Sequence, residues 1–576
     1  MFKKLMPYMK GYWFLSVVSI VGMAAEAACE LALPKTMAVI VDQGIVNGDN
    51  AFILTTGIRM IILALIGMAG GIIAGKASAD ASQGFAHKLR GAMYEKIAGY
   101  SFKNIDDFST ASLTTRLTND VNTIQLTIMM VLRILVRAPA MLIISAFYAF
   151  SINARLACVI LGVLPLILIA VAVIMKVGFP MFQRMQRRID AINAVIQENL
   201  IGIRVVKAFV REDHEKEKFK KRNDDLMAIG IRAGNMIITA MPIMMLVFNA
   251  AIVIVIWFGG NQVGTGDMLI GDLMSFITYI SQILMSSMMF AMILLQVVRS
   301  RACAQRVCEV LDAEPTVQNP AIPKSGDGQG RVEFQNVSFR YDLSGSGDDI
   351  LTDISFTAEP GSVVGIVGGT GCGKTSLVSL IPRLYDVSAG RVLIDGVDVR
   401  DYDLAHLREL TGVVLQKNTL FSGTIRDNIR WGKPDATDEE IRAACKAACA
   451  DEFITSFPDG YETDLAQGGL NLSGGQKQRL CIARAMIKHP KILILDDSTS
   501  AVDTATEARI RESFYNELKD TTVFIIAQRV SSVQAADKIL VLDDGRLCGV
   551  GTHEELLGSN AIYQEIVKTQ TKGVGE

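Results

Sequence analysis

A helix needs about 20 consecutive apolar residues to cross a bilayer. Six stretches of this 576-residue chain are candidates, at roughly 13–41, 52–80, 128–150, 156–178, 237–259 and 268–298. Nothing constrains the fold more. Inside hydrocarbon each backbone N–H and C=O must be satisfied within the protein, so runs of this length are spanning helices. The long runs stop near residue 300, and the rest alternates short apolar stretches with polar and glycine-bearing ones, as a soluble α/β domain does. Between the halves, "DAEPTVQNPAIPKSGDGQG" (312–330) is rich in Pro, Gly and polar residues and reads as a linker. The expected division is 1–311 membrane domain, 312–330 linker and 331–576 soluble domain.

Charge asymmetry sets the topology. Loops near 42–51 and 260–267 contain no Lys or Arg, whereas 86–125 and 180–235 are rich in both, and Lys3, Lys4 and Lys10 precede the first span. The positive-inside rule then puts both termini in the cytoplasm. No short apolar core with a small-residue cleavage site follows the leading lysines, so the first run reads as a span and not a cleaved signal peptide. The net charge of −2 gives no basis for a nucleic-acid partner. Nine cysteines without paired CxxC spacing read as reduced structural thiols. Cys445 and Cys449 share a helix face, but two ligands do not make a zinc site.

The two basic cytoplasmic stretches are longer than a reversal needs. "SFKNIDDFSTASLTTRLTNDVNTIQ" (101–125) and "QENLIGIRVVKAFVREDHEKEKF" (197–219) each contain a break that fits a short crosswise helix; a plain solvated helical hairpin fits the pattern equally. Within the spans, Glu26 and Glu30 share a face, as do Arg133 and Arg137. Ionisable groups at membrane depth are costly and face a cavity or one another. They are substrate-cavity candidates, with a structural ion pair or interfacial snorkelling as the other reading. Met285, Met288, Met289 and Met292 follow i, i+3, i+4, i+7 spacing. Such a surface adapts to varied apolar ligands, so Met285 and Met289 join the cavity candidates, with core filling as the plainer reading.

The soluble half carries the chemistry. In "VVGIVGGTGCGKTSLVSLI" a strand, a glycine loop and a helix follow one another, and Gly368-Gly369-Thr370-Gly371-Cys372-Gly373-Lys374-Thr375-Ser376 fits G-x-x-x-x-G-K-[ST]. Glycines let backbone N–H groups wrap phosphates, and the helix N-terminus favours anionic charge. Lys374 would reach the β/γ-phosphates of a nucleotide and Thr375 would hold Mg²⁺, while Cys372 is a small loop residue. The buried strand of "ILILDD" carries Asp496 as the metal-side carboxylate. Between them, "NLSGGQKQRLCIARAM" makes a second glycine-bearing helix start. One chain needs one phosphate loop, so the second motif reads as serving a nucleotide held by another chain.

Walker A, Leu472-Ser473-Gly474-Gly475-Gln476 and Asp496, in this order, resemble the nucleotide-binding domain of an ATP-binding cassette (ABC) transporter. The six spans resemble the exporter-type half-transporter, and "LTTRLTNDV" and "GIRVVKAFVRED" look like its two intracellular loops with coupling helices. The expected fold class is therefore an α-helical six-span membrane domain followed by an α/β P-loop ABC nucleotide-binding domain. The resemblance assigns Tyr341 to adenine stacking, Gln416 to the Q-loop that senses Mg²⁺, and Asp503 to the D-loop. Two departures stand out. Asp497 occupies the place of the family's glutamate general base, one methylene shorter, and Gln528 in "IIAQRV" occupies the place of the switch histidine. More weakly, Gln467 stands where relatives often have an acidic residue.

Binding groups are intact and both groups that promote hydrolysis are altered, which resembles the degenerate-site subunit of bacterial heterodimeric multidrug exporters. That resemblance implies ATP and Mg²⁺ as ligands, and a partner half-transporter with the consensus Glu and His. It also implies hydrophobic or amphiphilic, drug-like cargo, contact with membrane lipids, and a place in the bacterial cytoplasmic membrane with the nucleotide-binding domain inside. The other readings are a lipid flippase, a peptide exporter or an exporter-fold metal-chelate importer, and, in another class, a regulatory or channel-like subunit.

Overall fold

The computed structural model describes residues 2–341, 349–497 and 502–572, with scattered side chains outside the description, most of them in 159–179 and 237–244. The chain folds as two compact units: Met1–Ala98 with Ala111–Ala313, and Gly99–Thr110 with Glu314–Glu576.

The first unit is built on long helices, Trp13–Val39, Asn50–Ala98, Val121–Ile152, Ala154–Ile201, Glu212–Thr265 and Ile270–Asp312. Five stretches among the described residues are long and apolar enough to span a membrane: Trp13–Ile45, Asn50–Ala98, Thr110–Ile152, Met245–Thr265 and Ile270–Phe290. The predicted span 156–178 lies on helix Ala154–Ile201, where most side chains fall outside the description. The helices outrun their spans. Asn50–Ala98 has 49 residues, about 74 Å of helix at about 1.5 Å rise, against a hydrocarbon core of about 30 Å. Charged residues therefore occupy a continuation of the same helix rather than a separate loop.

Local chemistry marks the reversals. The Asn153 side chain accepts from the N–H groups of Arg155 and Leu156 to start one helix. Helix Glu212–Thr265 opens on Glu212, Asp213 and Glu215 and closes on Gly266 at φ 81°. The first two long helices meet through glycine: a Cβ on Gly22 would lie 2.9 Å from the Gly70 carbonyl oxygen. Ala27, Leu31, Met141, Phe276, Tyr279 and Ile280 share one buried cluster, in which the Tyr279 hydroxyl donates to the Leu31 carbonyl at 2.9 Å.

Both expected breaks form short helices, Phe102–Phe108 and Ile203–Ala208. The first belongs to the second unit, where its Ser101–Asn104 capping box is tied to the chain at Glu314 and Thr316.

The second unit contains a six-stranded sheet and a four-stranded antiparallel one. In the larger sheet, Val363–Gly368, Thr522–Ile526 and Ile492–Asp496 lie side by side and parallel. Their residues are almost wholly buried, which is why "VVGIV", "TVFII" and "ILILD" read as continuous apolar runs. Ile526 pairs with Ile366 on one side and Asp496 on the other. Three loops therefore leave one end of the sheet together, those after Gly368, Asp496 and Ile526. Ligand sites of open parallel sheets form at such carboxyl ends.

Candidate nucleotide site

At that end lies a cleft of about 820 Å³. Of the residues singled out in the sequence, Tyr341, Gly368, Gly369, Thr370, Gly371, Gly373, Lys374, Thr375, Ser376, Gln416, Asp496, Asp497 and Gln528 line it. Cys372 is buried behind the loop. Gly373 sits at φ 94°, and a Cβ there would come within 2.7 Å of the Leu351 side chain, so both backbone and space require glycine. The Lys374 ammonium donates to the Gly368 and Gly369 carbonyls at 2.9 and 2.7 Å, held over the mouth of the loop.

Asp496 is 2% exposed, and its Oδ2 has no hydrogen-bond partner among the described residues. Burial pushes its pKa up and the charge of Asp497 adds to this, while the Thr375 hydroxyl and Lys374 oppose the shift. A buried carboxylate oxygen without a partner costs free energy. Beside a threonine hydroxyl it is the hard oxygen donor set that suits Mg²⁺, so the residues fit the expected metal.

The two departures touch. Asp497 adopts φ 49°, its N–H donates to the Ile526 carbonyl at 3.1 Å, and its Oδ2 accepts from Gln528 Nε2 at 2.8 Å. The left-handed conformation, which Asp tolerates better than most residues, turns this side chain to the switch while the preceding Asp496 stays on the strand.

Tyr341 is 40% exposed, and its hydroxyl is 3.0 Å from Ser376 Oγ. Its ring meets Phe339 and Tyr385 edge-on, with centroids 4.9 and 5.1 Å apart. Tyr385 was not singled out in the sequence. Its hydroxyl donates to Asp106 on helix Phe102–Phe108 at 2.7 Å, and burial followed by that carboxylate raises its pKa.

The signature residues are elsewhere. Leu472–Gln476 do not line the cleft. Ser473 caps helix Gly474–Met486, accepting from the Gln476 N–H, while the Gln476 side chain accepts from the Ser473 N–H at 2.9 Å. Asp503 likewise caps helix Thr504–Glu517 through the Thr506 N–H, and those bonds hold its pKa below the usual carboxylate range. The "STSA" stretch between Asp497 and Asp503 lies outside the described residues. Gln467 is exposed and opens the short turn Gln467–Gly469 ahead of the signature.

Sequence reading missed one wall of the cleft. Asp543 and five residues of helix Ala561–Lys572 also line it: Ile562, Glu565, Ile566, Thr569 and Gln570. Their i, i+3, i+4, i+7, i+8 spacing was legible, but it marks only a face and not what that face covers.

In the membrane unit Arg137 bridges both acids of the first helix, Nη1 to Glu26 at 3.1 Å and Nη2 to Glu30 at 2.6 Å. Arg133 is exposed and forms no ion pair among the described residues. Met285 is 59% exposed, whereas Met288 packs against the buried cluster and Met289 is half-buried.

Family models match twice: ABC transporter transmembrane region over residues 16–288, and ABC transporter over residues 351–500. The chain is similar to the uncharacterized ABC transporter ATP-binding protein YfiB of Bacillus subtilis, at 38% identity over 99% of this chain and 98% of that one. It is also similar to the ATP-dependent lipid A-core flippase of Syntrophus aciditrophicus, at 35% identity over 84% and 80%. Among solved structures, a bacterial Atm1-family ABC exporter with ATP bound superposes with a TM-score of 0.79, at 26% identity and 98% coverage of both chains. The chain therefore belongs to the ABC transporters, as an exporter-type multi-pass membrane protein that carries its transmembrane region and its ATP-binding domain in one polypeptide.

Proposed function

We propose that this chain is one half of a heterodimeric exporter that moves hydrophobic or amphiphilic, drug-like compounds across a bacterial cytoplasmic membrane. In this reading it holds ATP in a hydrolysis-impaired site and lends its signature motif to a partner. The observation that carries the reading is the composition of the cleft. Every residue of the Gly368–Ser376 motif except Cys372 lines it, the two departures face each other inside it, and Leu472–Gln476 stay outside it. A signature that does not serve its own loop has a use at a second chain's loop.

The roles follow from the chemistry. Gly368–Gly373 and Lys374 bind phosphates, and Tyr341 stacks on adenine. Asp496, Thr375 and Gln416 would hold Mg²⁺, which when bound neutralises phosphate charge. Asp497 stands where a general base is needed, but its carboxylate falls about 1.5 Å short of a glutamate's. A base must sit within hydrogen-bond reach of its water, and a misplacement of about 1 Å costs about a hundredfold in rate. Gln528 donates a hydrogen bond and carries no charge, so it holds a phosphate without matching a histidinium. A partner with Glu and His supplies hydrolysis. ATP binding closes the paired domains, the short helices of the two intracellular segments pass closure to the spans, and hydrolysis at the partner's site resets the cycle. The nucleotide-binding domain and both termini lie in the cytoplasm, and the membrane domain ends near residue 311, before the 312–330 linker.

A lipid flippase is the second reading, favoured by the likeness to a lipid A-core flippase and by the Glu26–Arg137–Glu30 group, whose polar atoms are partly exposed at membrane depth. The test of the main reading is ATPase activity of the purified chain alone and with the half-transporter that co-purifies with it. Turnover only in the pair, abolished by changing the partner's base to Gln, is the expected result. Fast turnover by the chain alone would make Asp497 a working base and sink the heterodimer.

A further inference from the structure

Gln570 does more than line the cleft. Its Nε2 donates to the Gln528 carbonyl at 2.8 Å, and its Oε1 accepts from the Val530 N–H at 2.8 Å. One side-chain amide thus pairs with a carbonyl and an N–H two residues apart, as an adjoining strand would. Both backbone groups need such a partner. Strand Thr522–Ile526 has already ended, and Val530 opens the short 3₁₀ turn Val530–Ser532, whose first N–H has no acceptor within the turn. The amide orientation is forced, because the reverse would set donor against donor and acceptor against acceptor. Between the two bonds runs the backbone of Arg529, directly after Gln528, whose own side chain reaches Asp497. Arg511 of the helix capped by Asp503 donates to the Ser531 carbonyl at 2.8 Å. The switch segment is therefore held by three partners, Asp497, Arg511 and Gln570, and the terminal helix Ala561–Lys572 supplies the last of them.

We propose that Gln570 is a positioning residue for the switch. By bridging Gln528 and Val530 it sets where the Gln528 amide stands relative to Asp497, and so ties nucleotide retention in this cleft to the docking of the C-terminal helix. Undocking releases the 528–530 backbone and removes one wall of the cleft in a single movement, which is how bound nucleotide exchanges. The inference rests on the reading of this cleft as a nucleotide-retaining site.

The test uses the full-length chain with its partner subunit in lipid nanodiscs, loaded with radiolabelled 8-azido-ATP. The complex is chased with unlabelled ATP, photo-crosslinked at intervals, and the label on this chain's band is followed. Gln570→Ala removes both bonds and the packing, whereas Gln570→Met removes the bonds and keeps the volume. Both variants are expected to lose label from this chain's band at least about fivefold faster, the factor that one of the two lost hydrogen bonds is worth. The partner's band serves as an internal control that keeps its wild-type rate. Wild-type retention in Gln570→Met overturns the proposal, because packing alone then suffices. Acceleration of both bands overturns it too, since the effect is then a general loosening. If the wild-type chain itself releases label at the rate of turnover, the retaining-site reading fails. The ratio of variant to wild type still decides the role of Gln570.

Discussion

Asp496 and Asp497 are neighbours with the same side chain and opposite situations. Asp496 ends a fully buried strand with one carboxylate oxygen unpartnered among the described residues, while Asp497 turns at φ 49° and accepts from Gln528. Two predictions follow from this contrast. Asp497→Glu combined with Gln528→His is expected to raise hydrolysis at this chain's own site by about 10- to 100-fold, the range that about 1 Å of base placement controls. ATPase measured in a pair whose partner site is silenced checks it. In the wild-type chain, ATP is expected to raise the melting temperature with Mg²⁺ and much less with EDTA. Asp496→Asn is expected to fold with an unlowered melting temperature, because it removes an uncompensated buried charge, and to lose the Mg²⁺-dependent part of the ATP shift. Thermal unfolding reads both.

Among the elements, the strands were the easiest to foresee and the terminal helix the hardest. Strand Ile492–Asp496 is buried along its whole length between two parallel neighbours, so its apolar run left few alternatives. Ile494→Ala is expected to cost about 2–5 kcal/mol of stability in the nucleotide-binding unit, as buried large-to-small changes do. Thermal denaturation followed on the full chain checks this. Helix Phe102–Phe108 was legible as a break in a charged stretch, but its tie to Tyr385 was not, since the two residues of the bond are 279 apart in sequence. Tyr385→Phe removes that bond and leaves the ring against Tyr341. It is expected to leave ATP binding within about twofold, because the lost bond to the Asp106 carboxylate lies outside the cleft, while lowering the stimulation of ATPase by transported compounds. Basal and stimulated rates, measured together, separate the two effects.

For the whole molecule, the position of the signature matters most. Ser473 caps a helix whose first residues do not line the chain's own cleft, and the proposed function has it serve a nucleotide held by a partner. Ser473→Ala is expected to slow ATP turnover of the assembled pair at least tenfold, about the effect of one lost transition-state donor, while label retention on this chain's band is unchanged. Equal loss of retention at this chain's site would place the signature in cis and remove the argument for a complementing partner. Within the membrane unit, Arg137 meets both Glu26 and Glu30 of the same chain.

By itself the sequence determined that long apolar helices precede an ABC ATP-binding domain and where the glycine–lysine loop motif stands, and it offered Asp496, Asp497 and Gln528 as candidates. Each depends on composition or spacing within a few residues, where hydrophobic periodicity and backbone chemistry act locally. Only the tertiary structure decided that Asp497 and Gln528 meet, that Arg137 and not Arg133 pairs with Glu26 and Glu30, and that Tyr385 bridges Tyr341 and Asp106. It alone set Gln570 on the switch and the signature outside the cleft. Those contacts join residues from about 30 to nearly 300 positions apart, apart from local caps, and sequence patterns carry no distance information on that scale. Packing of the sheet and helices supplies it.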